Sequence, residues 1–99
     1  MKSPEDVERD YRAAFLRYLP RRDEAALHSG YLVGRAALED GVSMLEVVRL
    51  HHAVLLDVLD SSLSEDVRQI GSAAAEFLVE VLATYDMTHR SVPPGAGHR

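Results

Sequence analysis

Five histidines are the residues of this 99-residue chain best suited to chemistry, because imidazole can ligate a metal or carry a proton near neutral pH. His51 and His52 are adjacent, which on a helix turns them about 100° apart, so one metal ion is not easily shared between them. The residues four positions away are Val47, Val48, Leu55 and Leu56, so neither imidazole has a carboxylate or second histidine on its own face. The helical pattern of zinc proteases, two histidines with a glutamate between, is absent. His28 and His98 have no supporting neighbours, and His89 sits in a mixed polar segment. These positions read as structural or interface histidines. The rival reading is a small-ligand or metal sensor built on them.

Other chemistries find less support. A hydrolytic triad needs a nucleophile on a strained turn with a base and an orienting acid, whereas the serines here stand where helix caps are expected. Gly30 and Gly34 do not form a phosphate loop, since they lie four apart inside a helical segment. A mid-helix glycine costs roughly 1 kcal/mol relative to alanine. Two of them on one face point either to close packing within the chain or to contact with a partner. There is no cysteine, which excludes disulfides and thiolate metal sites and leaves the compartment open, with the cytoplasm as the default. A formal charge of −5 argues against nucleic acid, whose phosphates call for a net basic patch. The acidic start, Met1 to Asp10, lacks the basic and apolar regions of a signal peptide. No run approaches the roughly 20 apolar residues of a membrane span. No catalytic residue, metal ligand or cofactor site is therefore assigned.

Four helices are legible from their start and stop signals. Ser3-Pro4-Glu5-Asp6 offers a capping hydroxyl, proline at the first helical position and acids in the first turn. Val7, Tyr11, Ala14, Phe15, Tyr18 and Leu19 then share one face, and Pro20 is expected to end the helix near Tyr18. Asp23 caps a second helix, with Leu27, Tyr31, Gly34 and Leu38 on one face and Gly41 as its left-handed terminator. Ser43-Met44-Leu45-Glu46 has the form of a capping box opening a third helix that ends near Asp60. Ser62 or Ser64 is expected to cap a fourth, carrying Val67, Ile70, Ala74, Phe77, Leu78, Val81 and Tyr85 and reaching about Arg90. Pro93-Pro94-Gly95 marks an unstructured tail over 91–99. One helical domain over 1–90 follows, an all-α four-helix bundle with antiparallel neighbours.

The third helix is unusual. Met44, Leu45, Val47, Val48, Leu50, Val54, Leu55, Leu56, Val58 and Leu59 cover most of its circumference, leaving Glu46, Arg49, Asp57 and Asp60 as one polar stripe. A surface helix buries a stripe of about 100°. This one is expected to be either the central helix of the bundle or a seam to a second copy, and a homodimer follows from the second option.

Three segments carry a family resemblance: Tyr31-Leu32-Val33-Gly34-Arg35, Leu50-His51-His52, and Tyr85-Asp86-Met87-Thr88-His89-Arg90. In this order and spacing they resemble the N-terminal domain of RsbU-type serine phosphatases, especially the actinobacterial forms, over about Tyr11 to Arg90. The resemblance implies a dimeric helical bundle related in fold to the C-terminal domain of the clock protein KaiA. It also implies a receiving module for an RsbT-like switch protein in a stress or sigma-factor pathway, controlling an attached phosphatase. Tyr31, Gly34, Arg35, His52, Met87 and His89 are the expected partner or dimer contacts. Where the family runs on through a linker to an effector domain, residues 91–99 are Pro-Gly-rich, so either a free-standing regulator or a piece of a longer protein is expected. The metal-binding aspartates of the phosphatase domain are not in this sequence, so its activity is not carried over. A passive dimerisation domain remains the second rival.

Overall fold

A computed structural model describes residues 3–90; the side chains of Pro4 and of residues 88–90 lie outside the described set, as does the tail expected over 91–99. Among the described residues there are four α-helices and no strand: α1 (Pro4–Arg21), α2 (Glu24–Glu39), α3 (Met44–Asp60) and α4 (Val67–Arg90), the last entered through a 3-10 turn at Ser64–Asp66. The chain is all-α, as its periodicity predicts.

Local signals set most of the boundaries. Ser3 and Asp6 form a reciprocal capping box at the start of α1. The Asp23 carboxylate accepts from the Ala26 N–H at 2.8 Å to open α2. At its other end Gly41, at φ 79°, makes the left-handed turn, and the Gly41 and Val42 N–H groups return to the carbonyls of Leu38 and Ala37. Ser43 caps α3 through the Glu46 N–H, but the Glu46 carboxylate turns to Arg49 at 3.0 Å instead of completing a box.

Two ends differ from expectation. Helix α1 does not stop at Tyr18 but carries Pro20 inside its last turn. Proline there removes one hydrogen bond, to the carbonyl of Leu16, whose residue is exposed and can be served by water. The helix ends at Arg22 instead, a non-glycine residue at φ 51°, and the chain there is tied to α4. Tyr18 Oη and Arg22 Nη2 both donate to Glu76 Oε1, at 2.8 and 2.7 Å. These two bonds, Tyr18 first, hold the Glu76 carboxyl below its usual range. Of the two serines expected to cap α4, Ser62 faces backwards and Ser64 opens the 3-10 turn. Ser61 and Ser62 donate to the Val58 carbonyl at 3.2 and 2.6 Å, closing α3, and Leu63 enters the 3-10 turn without a side-chain cap.

The helices alternate in direction, but the closest pair is not a pair of sequence neighbours. Gly30 lies against Phe77 and Gly34 against Val81, so α2 and α4 run parallel and in direct contact. The buried face of α2 is Ala26, Gly30, Gly34 and Ala37, small residues throughout, whereas Leu27, Tyr31 and Leu38 are only half-buried. A Cβ on Gly34 would overlap the Val81 carbonyl oxygen and stand 3.1 Å from Thr84 Oγ1. On Gly30 it would meet the Phe77 ring at 2.8 Å. The mid-helix glycines thus serve packing within the chain. Phe77 is fully buried, with Tyr11, Phe15 and Tyr18 of α1 around it at ring-centroid distances of 5.4 to 5.8 Å. Val81 is equally buried, Leu78 is half-buried, and Val67, at the first position of α4, is 45% exposed.

The central helix is therefore α4, not α3. Helix α3 packs on α4 and α1 and hardly touches α2, although a short turn joins them. It buries one stripe, Val47, His51, Val54 and Val58, and leaves Met44, Leu45, Val48 and Leu56 exposed. No buried side-chain nitrogen or oxygen among the described residues lacks a hydrogen bond.

The two glycines should respond differently to alanine. Gly34→Ala sets a methyl group against backbone that cannot rotate away, an overpacking cost of about 1–3 kcal/mol. Gly30→Ala meets the Phe77 ring at 2.8 Å, and that ring is itself fully buried among three others, a cost offset in part by roughly 1 kcal/mol of helix propensity. Urea melts are expected to show both variants less stable than the parent, Gly34→Ala the more so because its methyl overlaps backbone.

Candidate partner-docking groove

Three of the expected contact residues, drawn from sequence segments some fifty residues apart, come together at one end of the α2–α4 pair. Tyr31, Arg35, Leu38 and Glu39 of α2 and Thr84 and Met87 of α4 line an open groove of about 280 Å³. The close approach of the helices fixes this geometry. Thr84 is buried beneath it and donates to the Val81 carbonyl at 3.0 Å. Met87 is 49% exposed above it, a flexible thioether chain suited to adapting to an apolar partner surface. Arg35 Nε donates to Glu39 Oε2 at 3.2 Å, and Glu39, followed by Tyr31, holds the guanidinium still more firmly protonated. An Arg–Glu pair this exposed contributes little to stability and leaves a charged fork available for a carboxylate.

The groove has an extension that the sequence reasoning passed over. His28 stacks on Tyr31 with ring centroids 5.7 Å apart and planes 15° from parallel. His28, Tyr31 and Arg35 follow i, i+3, i+7 spacing, which was the available signal for one aromatic and cationic row along α2. The other expected contacts are placed differently. Gly34 does not reach the surface, because α4 of the same chain fills the space beside it. His52 is exposed on α3 and is not part of the groove. The side chain of His89 lies outside the described residues. A larger, shallower trough beside the start of α3 is lined by Glu8, Asp40 and Glu46 with Arg49, and collects none of the expected residues.

The remaining motif positions hold the framework. Tyr85 Oη donates to the Val42 carbonyl at 2.7 Å, tying the second half of α4 to the α2–α3 turn. His51 is buried between α1 and α3, with Nδ1 2.6 Å from Tyr11 Oη and its ring edge-on to Tyr11 and Phe15. Burial raises the Tyr11 pKa well above its ordinary value and lowers that of His51, so the hydrogen bond joins a protonated hydroxyl and a neutral imidazole. Among the described residues no three His, Asp or Glu side chains come together as a metal site. No described helix is long and apolar enough to cross a membrane.

Comparison with known families matches residues 9–88 to the N-terminal domain of phosphoserine phosphatase RsbU. The chain belongs to this family. The RsbU N-terminal match covers most of α1, all of α2 and α3, and α4 as far as Thr88, so the groove and the Tyr11–His51 pair both fall within it. It concerns the N-terminal domain alone and includes no phosphatase domain. Comparisons with curated proteins and with solved structures give no match.

The buried imidazole has a consequence for stability. Burial, and then the charge of the adjacent His52, depress the His51 pKa below its ordinary 6.5. The unfolded chain therefore binds a proton that the folded one refuses, and stability falls as pH drops below about 6.5, by at most about 1.4 kcal/mol per pH unit from this group. The loss levels off once His51 also protonates in the fold. Thermal melts between pH 7.5 and 5 should show this decline in the parent chain and a shallower one in His51→Gln.

Proposed function

We propose that this chain is a non-catalytic regulatory domain that receives a protein partner in a stress or sigma-factor signalling pathway, and that it works as a homodimer in the cytoplasm. The partner in this reading is an RsbT-like switch protein, and the output is control of a serine phosphatase. The observation that carries the reading is the groove itself. Tyr31, Arg35 and Met87 lie in segments that resemble the family, and they converge on one exposed surface that the fold does not need for its own core. Aromatic residues and arginine in such a setting are the side chains that most often dominate a protein interface. The groove also borders the last turns of α4, the element through which family members continue into their effector. A partner seated in the groove touches α4 directly and can bias its last turns between two states.

Titration with an RsbT-like switch protein tests the proposal. Arg35→Ala and Met87→Ala are each expected to weaken binding about tenfold or more, corresponding to about 1.4 kcal/mol. Both residues are exposed, so melting temperatures should stay close to the parent value. Hydrogen exchange across Thr84 to Arg90 should change on binding. Unaltered affinity in both variants, together with unaltered exchange, would remove the groove from the function. Phosphatase activity on a phosphoserine peptide that survives repurification and vanishes with one His or Asp substitution would overturn the non-catalytic part.

A further inference from the structure

Helix α3 is held to α1 by two polar contacts, one inside and one outside. Inside, His51 of α3, 6% exposed, has Nδ1 2.6 Å from Oη of Tyr11, 1% exposed. Oη has no second partner among the described residues, so its hydrogen points at Nδ1 and the neutral imidazole accepts it. Outside, Arg12 bridges Glu8 of its own helix and Asp57 of α3, at 3.2 and 3.0 Å. An exposed ion pair of this kind contributes little. The apolar part of α3's buried stripe is Val47, Val54 and Val58, all modest in size. Helix α1, by contrast, sets three aromatic rings around Phe77 and is tied to α4 through Glu76 by Tyr18 and Arg22. None of those contacts passes through α3. It is the helix that can move while the other three keep their own packing.

We propose that the Tyr11–His51 pair is a proton-operated latch: a second proton on the imidazole frees α3 as a unit, while α1, α2 and α4 stay packed. A doubly protonated ring carries N–H on both nitrogens, so Nδ1 can no longer accept. The Tyr11 hydrogen must then turn out of the bond into a buried space where no described residue receives it, and a unit charge is withdrawn from water. The groups around the ring do not relieve this. On α1 they are Tyr11 and Phe15, with Arg12 beyond them already engaged by Glu8 and Asp57. On α3 it is His52, whose charge opposes the new one. Helix α4 packs Phe77 against Tyr11 and Phe15, and Glu76, the acid it turns to α1, is held by Tyr18 and Arg22, about two turns along from Tyr11. Burial, ahead of His52, keeps the closed imidazole below its ordinary 6.5, and in the open helix it regains that value. The open form therefore binds the proton that the closed form refuses. Opening grows as pH falls below about 6.5, by up to about tenfold per pH unit, until His51 protonates in the closed form as well. The turn that enters α3 carries the Val42 carbonyl to which Tyr85 donates, so the motion also loosens α4 beside Thr84.

Hydrogen exchange of the full chain between pH 7.5 and 5, with each rate divided by that of an unstructured peptide at the same pH, reads the opening directly. Amides of α3 around Val54 and Val58 should lose protection as pH falls, by up to about tenfold per unit, while those of Gly34, Phe77 and Val81 hold theirs. His51→Gln offers Tyr11 an acceptor that does not titrate, so its α3 protection should not change with pH. His52→Gln, on the exposed side of α3, should keep the parent's response. Protection lost equally from α2, α3 and α4 would overturn the latch, because the whole domain would then be opening. So would α3 protection that is independent of pH in the parent, or a loss as steep in His51→Gln as in the parent. Should His51→Gln not fold, the parent profile decides alone: loss confined to α3 supports the latch, and any other pattern overturns it.

Discussion

The close approach of α2 and α4 is the constraint on which the rest of the domain depends. It exists because α2 has no side chain at positions 30 and 34, so that Phe77 and Val81 enter where a Cβ would otherwise stand. With α4 drawn to the centre, Phe77 can be shared by three aromatic residues of α1, and α3 is left to pack from the outside. Interiors packed to crystal-like density do not accommodate an extra methyl group without moving something. At Gly34 the atom that would have to move is a backbone carbonyl in the middle of the central helix. Two glycines therefore determine which helix is central, which is peripheral and where the surface grooves open.

The same contact shapes the candidate site. The candidate groove is the rim of the α2–α4 pair, where Thr84 is buried below and Tyr31, Arg35 and Met87 stand above. Further down α4 the helix is secured twice, by Glu76 to Tyr18 and Arg22 and by Tyr85 to the Val42 carbonyl. Beyond Tyr85, Met87 is half exposed.

Helix number, helix type and the apolar faces of α1 and α4 were legible in the linear sequence, because caps, periodicity and terminators are local properties. The left-handed end at Gly41, the capping hydroxyl of Ser3 and the stop at Asp60 all follow from residues within one turn. The end of α1 was not legible. Pro20 is tolerated there because the bond it removes belongs to an exposed turn, and because Arg22 finds Glu76, a residue 54 positions away. The cap expected at Ser62 was misassigned for a related reason: a hydroxyl between two helices can serve either one, and here the Val58 carbonyl of α3 claimed it. The resemblance placed Tyr31, Arg35 and Met87 as contacts, but it could not separate them from Gly34, whose surroundings are created by α4.

By itself the sequence determined that this chain is an all-α domain with four helices and no cysteine, and with family features at Tyr31–Arg35, Leu50–His52 and Tyr85–Arg90. Those properties depend on residue type and spacing over short ranges. Only the tertiary structure decided that α4 is central, that Gly34 is interior, that His51 is a buried partner of Tyr11, and that His28, Tyr31, Arg35 and Met87 share one surface. Each of these depends on which helices meet, and that in turn is set by the volume left between them. The apolar circumference of α3 shows the difference most clearly. The sequence allowed it to be the core or the seam, and the small-residue face of α2 assigned the core to α4.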